Sequence, residues 1–253
     1  MKILISPAKS LNFDSQIPKC VITQPVFLNE AQQLNQALKA KTPIDLQKLL
    51  GISEKLSTLN WERNQSFSVP FNIDNSRPAV FAFNGDVYTG LNAYTISGDA
   101  MSECQNKLRI LSGLYGILRP LDLIQPYRLE MGTSIAINGY SNLYLFWKNK
   151  LTDYLKSELA PAELVVNLAS NEYASVIDFK SLETPVIHPV FKDYKNGKLK
   201  IISFFAKKAR GEMSRYLINN KLSTTEELLS FSSNGYSFND AETKDPTRPV
   251  FIR

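Results

Sequence analysis

Lys2-Ile3-Leu4-Ile5-Ser6 is an apolar run stopped by Pro7, and a polar loop, Pro7-Ala8-Lys9-Ser10, follows it at once. A run this short, bounded by a proline, reads as a buried strand that delivers a loop. The same grammar recurs at Ala79–Phe83, which delivers Asn84-Gly85-Asp86-Val87-Tyr88-Thr89-Gly90, and at Leu164–Leu168, which delivers Ala169-Ser170-Asn171-Glu172. If such strands lie parallel, their loops converge at one sheet edge, the usual position of a ligand crevice in open α/β folds. That would gather Lys9, Asp86, Ser170 and Glu172, with Asp86 and Glu172 as candidate acid or base groups.

Outward from these runs the periodicity changes. Leu28, Ala31, Leu34 and Leu38 carry helical spacing, Thr42 caps a second helix with Pro43 in its first turn, and a third helix starts near Ser53. Leu143–Leu159 is amphipathic, with Leu143, Phe146, Trp147, Leu151, Tyr154 and Leu155 on one stripe. Asn196-Gly197, between strands read at Val186–Val190 and Leu199–Phe205, predicts a tight hairpin. A helix over Ala206–Asn219, a capping box at Ser223 and Glu226, and strands at Gly235–Phe238 and Val250–Ile252 complete the chain. The reading is α/β: a mixed, irregular sheet with surrounding helices, one domain over residues 1–253, and a helical subdomain at about 28–67.

Composition narrows the function classes. The chain has 253 residues, 43% hydrophobic and 21% charged, which excludes collagen-like and broadly disordered classes. No apolar run approaches the length of a membrane span, and MKILISPAKS is interrupted too soon by Pro7 and Lys9 for a signal peptide, so a cytoplasmic protein is expected. Cys20 and Cys104 lie far apart and His188 is the single histidine. Thiolate or imidazole metal clusters, disulfide scaffolds and haem ligation have no support in this pattern, and no cofactor is implied. Of the net charge of +5, more than all falls between Lys192 and Tyr216, where eight basic residues face Asp193 and Glu212. A local basic field of this kind attracts phosphate-bearing partners.

Three motifs carry candidate chemistry. Leu50-Gly51-Ile52 has the apolar-Gly-apolar form of a helix-hairpin-helix turn, in which glycine permits a sharp turn and leaves backbone N–H groups for a phosphate. Ser53 stands where a second glycine is often found, and can cap the next helix instead; the plainer reading of Gly51 is a helix terminator. In the helix at Ala206–Asn219, Lys207, Lys208, Gly211 and Arg215 point away from the apolar stripe as a basic face, while Arg210 sits nearer the stripe and calls for a carboxylate or phosphate partner. Between Ser112 and Gly132, Arg119 and Arg128 interleave with Tyr115, Tyr127, Asp122 and Glu130. That segment reads equally as an anion-binding loop with arginines stacked on tyrosines and as a structural knot of internal ion pairs.

SPAKSL at Ser6–Leu11, GDVYTGL at Gly85–Leu91, LSGLYGILRPLDLIQPYRLEMG at Leu111–Gly132, NLASNEY at Asn167–Tyr173 and KKARGEMSRY at Lys207–Tyr216 resemble the bacterial YaaA family of peroxide-stress proteins. The resemblance spans nearly the whole chain. It implies a cytoplasmic protein that limits iron-dependent oxidative damage, a fold called the cantaloupe fold, a helix-hairpin-helix element at Leu50, Gly51 and Ile52, and a basic cleft that binds duplex or distorted DNA. Charge and motif position assign that cleft to Lys9, Arg119, Arg128, Lys207, Lys208, Arg210 and Arg215. The alternative from the convergent loops is an enzyme on a phosphorylated or nucleotide-like substrate, with Lys9, Arg119, Arg128 and Lys207 on the phosphate and Asp86 or Glu172 as acid or base.

Overall fold

A computed structural model describes all residues from Met1 to Arg253. The chain opens with β1 (Lys2–Ile5) and β2 (Ser10–Leu11), then three helices, α1 (Leu28–Lys39), α2 (Pro43–Leu50) and α3 (Glu54–Ser66). Next come β3 (Arg77–Pro78), α4 (Ala79–Ala82), β4 (Phe83–Asn84), α5 (Asp86–Leu91) and α6 (Gly98–Lys107). β5 (Leu108–Ser112), β6 (Gly116–Leu118), β7 (Leu123–Ile124), α7 (Leu143–Glu158), β8 (Val165–Asn167), α8 (Asn171–Ala174) and β9 (Val186–Ile187) form the middle. The chain ends with β10 (Val190–Lys195), β11 (Lys198–Lys200), α9 (Ser203–Asn219), α10 (Thr225–Leu229), β12 (Ser232–Ser233), β13 (Tyr236–Phe238) and β14 (Val250–Ile252).

Two five-stranded sheets result, in the orders β6-β5-β1-β8-β9 and β11-β10-β14-β13-β12. β1 is the centre of the first and runs parallel to both β5 and β8, so the loops after β1 and β8 leave from the same edge. Ile3, Leu4 and Ile5 are fully buried, as a strand covered on both faces must be. One apolar cluster of 59 buried residues takes in the sheet, α7 and α9, and reaches Ala31, Leu34 and Leu38 of α1 and Leu46 of α2. α3 contributes polar residues instead: Ser57, Asn60 and Asn64 face inward, and Asn35 of α1 donates to the Asn64 carbonyl at 3.2 Å.

The helix ends follow their sequence signals. Thr42 accepts from the Asp45 N–H in a full capping box, and Ser53 accepts from Leu56 N–H. Asn196 and Gly197 take positive φ in the β10–β11 turn. The second capping box lies one residue later than expected, at Thr224 and Glu227.

Val186–Val190, read as one strand, is divided between β9 in one sheet and the start of β10 in the other, and further segments also differ from their reading. Ala79–Phe83 is not a sheet strand but the helical turn α4 followed by β4, with every side chain buried; a short run that is apolar all round has no period to separate helix from strand. The strand expected to reach Phe205 ends at Lys200, and α9 begins at Ser203. Most of Asn84–Gly90, read as loop, lies in the helix α5 (Asp86–Leu91).

α5 and α9 cross at touching distance. A Cβ on Gly90 would lie 2.1 Å from the Lys208 carbonyl oxygen, and one on Gly211 would lie 1.9 Å from that of Val87. Glycine is therefore required at both positions by backbone approach rather than by φ. Gly211 is consequently buried against α5, and the open basic face expected from Lys207 to Arg215 is divided by that helix.

Candidate functional site

The site begins where the sheet edge opens. Ser6, after β1, and Ser170, after β8, are tied together: Ser170 N–H donates to Ser6 Oγ at 2.8 Å, and the two hydroxyls lie 3.2 Å apart. β2 pairs antiparallel with β4, Ser10 opposite Asn84, which sets Lys9 beside Gly85 and Asp86. Convergence of Lys9, Asp86, Ser170 and Glu172 is thus real, but Asp86 arrives through this two-stranded ribbon and not on a parallel strand.

These groups line an inner recess of about 300 Å³, which Lys207 and Arg210 of α9 also line. The recess joins a wider, open cleft of about 870 Å³, and Lys9 and Glu172 line both. Lys41, Asp45, Lys48 and Gly51, from α2 and the residues flanking its two ends, line the open cleft together with Arg128 and the loop Gly132-Thr133-Ser134. Six cations and four carboxylates line the two spaces together.

At their junction one carboxylate serves two cations. Glu130 Oε1 lies 3.3 Å from Lys9 Nζ and 3.2 Å from an Arg128 terminal nitrogen. Both are ion-pair contacts without hydrogen-bond alignment, so the buried Glu130 Oε1 and Arg128 Nε have no hydrogen-bond partner. Unpaired buried polar atoms are costly, and here they border the open cleft, where a ligand or water would complete the bonding. Arg63 of α3 adds to the field: burial and then the like charge of Arg128 lower its pKa. Glu172 Oε1 accepts from Gly132 N–H at 3.2 Å and holds the loop across the cleft mouth.

The remaining candidates are placed elsewhere. Arg119 donates from Nε and Nη2 to the same oxygen, Oδ1, of the fully buried Asp122, at 3.1 and 2.9 Å, and also donates to the Gln24 carbonyl; it lines neither space. Arg215 donates to the carbonyls of Leu91, Asn92 and Thr95, closing the C-terminal end of α5 and the turn after it. Lys208 lies 3.8 Å from Glu212 and lines a separate recess with Phe204, Phe205 and Arg253. For Tyr115 and Tyr127 the knot prevails over the anion loop. Their rings meet edge to face, Tyr127 shares a 2.7 Å hydrogen bond with Ser112 Oγ, and neither offers a face to an arginine. Of the two arginines of that segment, only Arg128 combines an internal pair with a place in the cleft.

The hairpin also differs in detail. Gly51 has φ +61° and ends α2, but its N–H and that of Ile52 both donate to the Gln47 carbonyl. The backbone donors left free at the start of α3 are those of Glu54 and Lys55, since Leu56 N–H donates to Ser53 Oγ and Ser57 N–H to the Ser53 carbonyl. Lys41 and Lys48 were not singled out in the sequence. Lys48 lies three residues after Asp45 on the same face of α2, whereas Lys41 precedes the Thr42 cap and reaches the cleft from outside the helix, where no helical period marks it.

Neither cysteine is activated. Burial pushes the Cys104 thiol up to about 12, and burial also raises Cys20. His188 is half-buried beside Phe179, with Nδ1 3.0 Å from the Asn167 amide. No three His, Cys, Asp or Glu side chains come together as a metal-ligand group, and no helix is long and apolar enough to cross a membrane.

Comparison with known proteins gives the family. The model described as "Peroxide stress protein YaaA" matches residues 1–242. A UPF0246 protein of Flavobacterium johnsoniae is 54% identical over 253 residues, covering 100% of both chains. One from Flavobacterium psychrophilum is 53% identical with the same coverage, and one from Hahella chejuensis is 52% identical over 95% of both chains. With the motif-bearing segments gathered around one cleft and the match running over almost every residue, the chain belongs to the YaaA family of peroxide stress proteins.

Proposed function

We propose that this protein binds DNA without sequence preference, through phosphate contacts in the open cleft, and that this binding limits iron-dependent oxidative damage under peroxide stress. The observation that carries the reading is the arrangement of Lys9, Lys41, Lys48 and Arg128 around an open space, with Arg128 Nε buried and unpaired. Lysines at the walls of an open groove neutralise backbone phosphates without reading base edges. The α2–Gly51–α3 turn serves as the helix-hairpin-helix element in this reading, presenting Lys48 and the first turn of α3, and the fold is the cantaloupe type that the resemblance implies. Arg119, Lys208 and Arg215, engaged elsewhere, are left out of the interface. A cytoplasmic location goes with this function.

Titration of a labelled duplex at increasing salt tests it. Affinity falls with a slope in log–log coordinates of about −0.9 per phosphate contact, and duplexes of unrelated sequence bind alike. A flat salt response, or strong preference for one sequence, rules the reading out.

The inner recess favours a second reading, an enzyme on a phosphorylated or nucleotide-like substrate, because Asp86 stands in it with no cation paired to it. Asp86→Asn or Glu172→Gln would then abolish peroxide survival of complemented cells while DNA affinity is retained. Survival with both carboxamides would dismiss catalysis.

A further inference from the structure

The inner recess holds charge of both signs that no partner within the protein uses. Arg210 projects from α9 beside the buried Ala206 and Ala209, is itself half-buried, and has neither an ion pair nor a side-chain hydrogen bond; burial alone lowers its pKa. An arginine taken from water without a carboxylate or phosphate is an expense that folding by itself does not explain. Lys207, one turn along the same wall, is also unpaired. Asp86, at the start of α5, lines the same recess with no cation within ion-pair distance and no donor, and Asn84 offers a free amide. A bare phosphate would satisfy Arg210 and Lys207 but meet the Asp86 carboxylate as a like charge. A sugar would leave the two cations unmatched. The complementary ligand carries both anionic oxygens and N–H donors.

We propose that this recess binds a single nucleotide unit, its phosphate on Arg210 and Lys207 and the amino edge of its base on Asp86 and Asn84. A carboxylate accepts from the exocyclic amino group of a base, and an amide pairs with the mixed donor–acceptor edge of adenine. The volume, about 300 Å³, meets the lower bound of ordinary small-ligand sites. The proposal rests on the phosphate reading of the cleft: because Lys9 and Glu172 line both spaces, a backbone tracked by the open cleft passes the mouth of the recess. The unit then comes either from DNA, as a nucleotide turned out of the stack, or from free nucleotide.

Two arms separate these sources. In the first, a duplex carrying 2-aminopurine next to a mismatched adenine is titrated with the full-length protein, and emission reports the loss of stacking when that adenine leaves the helix. In the second, deoxyadenosine monophosphate and inorganic phosphate are titrated calorimetrically. A severalfold rise in emission, lost in Arg210→Gln and in the exposed Lys207→Gln, supports the proposal with DNA as source. Binding of deoxyadenosine monophosphate at least about tenfold tighter than phosphate, a ratio that Asp86→Asn removes, supports it with free nucleotide as source. Neither response overturns it. Salt-dependent duplex affinity persisting in that case leaves the DNA reading standing, whereas nucleotide binding without any duplex affinity sinks the DNA reading and spares the recess. Circular dichroism of each variant confirms the fold, and Lys207, on the surface, supplies a variant whose folding is not at stake.

Discussion

Gly211→Ala perturbs the structure where the fold and the site are most tightly joined. The added Cβ would lie 1.9 Å from the Val87 carbonyl oxygen and 2.7 Å from Leu91 N, whereas ordinary contact starts at 3.4 Å. Both neighbours are backbone, so no rotamer change relieves the clash, and α5 must retreat by about 1.5 Å. Overpacking of this kind costs about 1–3 kcal/mol, and a rigid backbone neighbour puts the cost at or beyond the top of that range. Alanine returns about 1 kcal/mol of helix propensity over glycine, leaving a net loss of about 2 kcal/mol or more. For a chain of this size each kcal/mol shifts Tm by about 2–4 °C, so thermal unfolding should move down by about 4–8 °C. Because α5 begins at Asp86, the same retreat should also loosen the recess. Gly51→Ala is the comparison, with φ +61° but open space around the new atom; it should cost about 1–2 kcal/mol. A Gly211→Ala protein melting within about 2 °C of the parent would refute the close approach of α5 and α9.

Removing Arg119 should act on stability and not on DNA. Arg119→Gln leaves the fully buried Asp122 without its charged partner, though with the Thr23 hydroxyl and the backbone N–H of residue 119; a loss of about 1.5–3 kcal/mol by urea unfolding, at unchanged DNA affinity of the folded protein, is expected. Acid should weaken the fold through His188, whose pKa burial, then Arg248, holds below the free value of 6.5. The unfolded chain binds this proton more readily, so stability is complete above 6.5 and declines as pH falls through 6.5 toward the folded value. His188→Gln should flatten that part of the stability profile measured by denaturant titration, and an unaltered profile would remove His188 as its cause.

Local signals were the legible part of this fold. Thr42 and Asp45, Ser53, and Asn196-Gly197 each fix a backbone geometry within four residues, and each is found as read. The strands Lys2–Ile5 and Val165–Asn167 were legible because their flanks stop an apolar run, and their parallel pairing delivers Lys9, Ser170 and Glu172 to one edge. What escaped depends on contacts between distant segments. α5 carries Gly90, which lowers its helix propensity, and that glycine is explained only by α9, which packs on it from more than a hundred residues away. Ala79–Ala82 is apolar on every side because it is buried on every side. Charge was legible in amount but not in direction: Lys207 and Lys208 are neighbours in sequence, yet one lines the inner recess and the other a separate pocket beside Glu212. Arg119 and Arg128 looked alike, and only the depth of Asp122 against the partial pairing of Glu130 tells the structural arginine from the cleft arginine.

The central claim is that the cleft, and not the overall positive charge, holds DNA. The direct measurement is the salt dependence of duplex affinity for two triple variants with the same change in net charge. Lys41→Gln, Lys48→Gln and Lys207→Gln remove three charges from the cleft and its recess, and Lys195→Gln, Lys198→Gln and Lys200→Gln remove three from the exposed β10–β11 hairpin. The account predicts that the cleft variant binds far more weakly at low salt and that its log–log slope is shallower by about 2–3, at about 0.9 per lost phosphate contact, while the hairpin variant keeps the parent slope. Equal losses in both variants, or a larger loss in the hairpin variant, would contradict it.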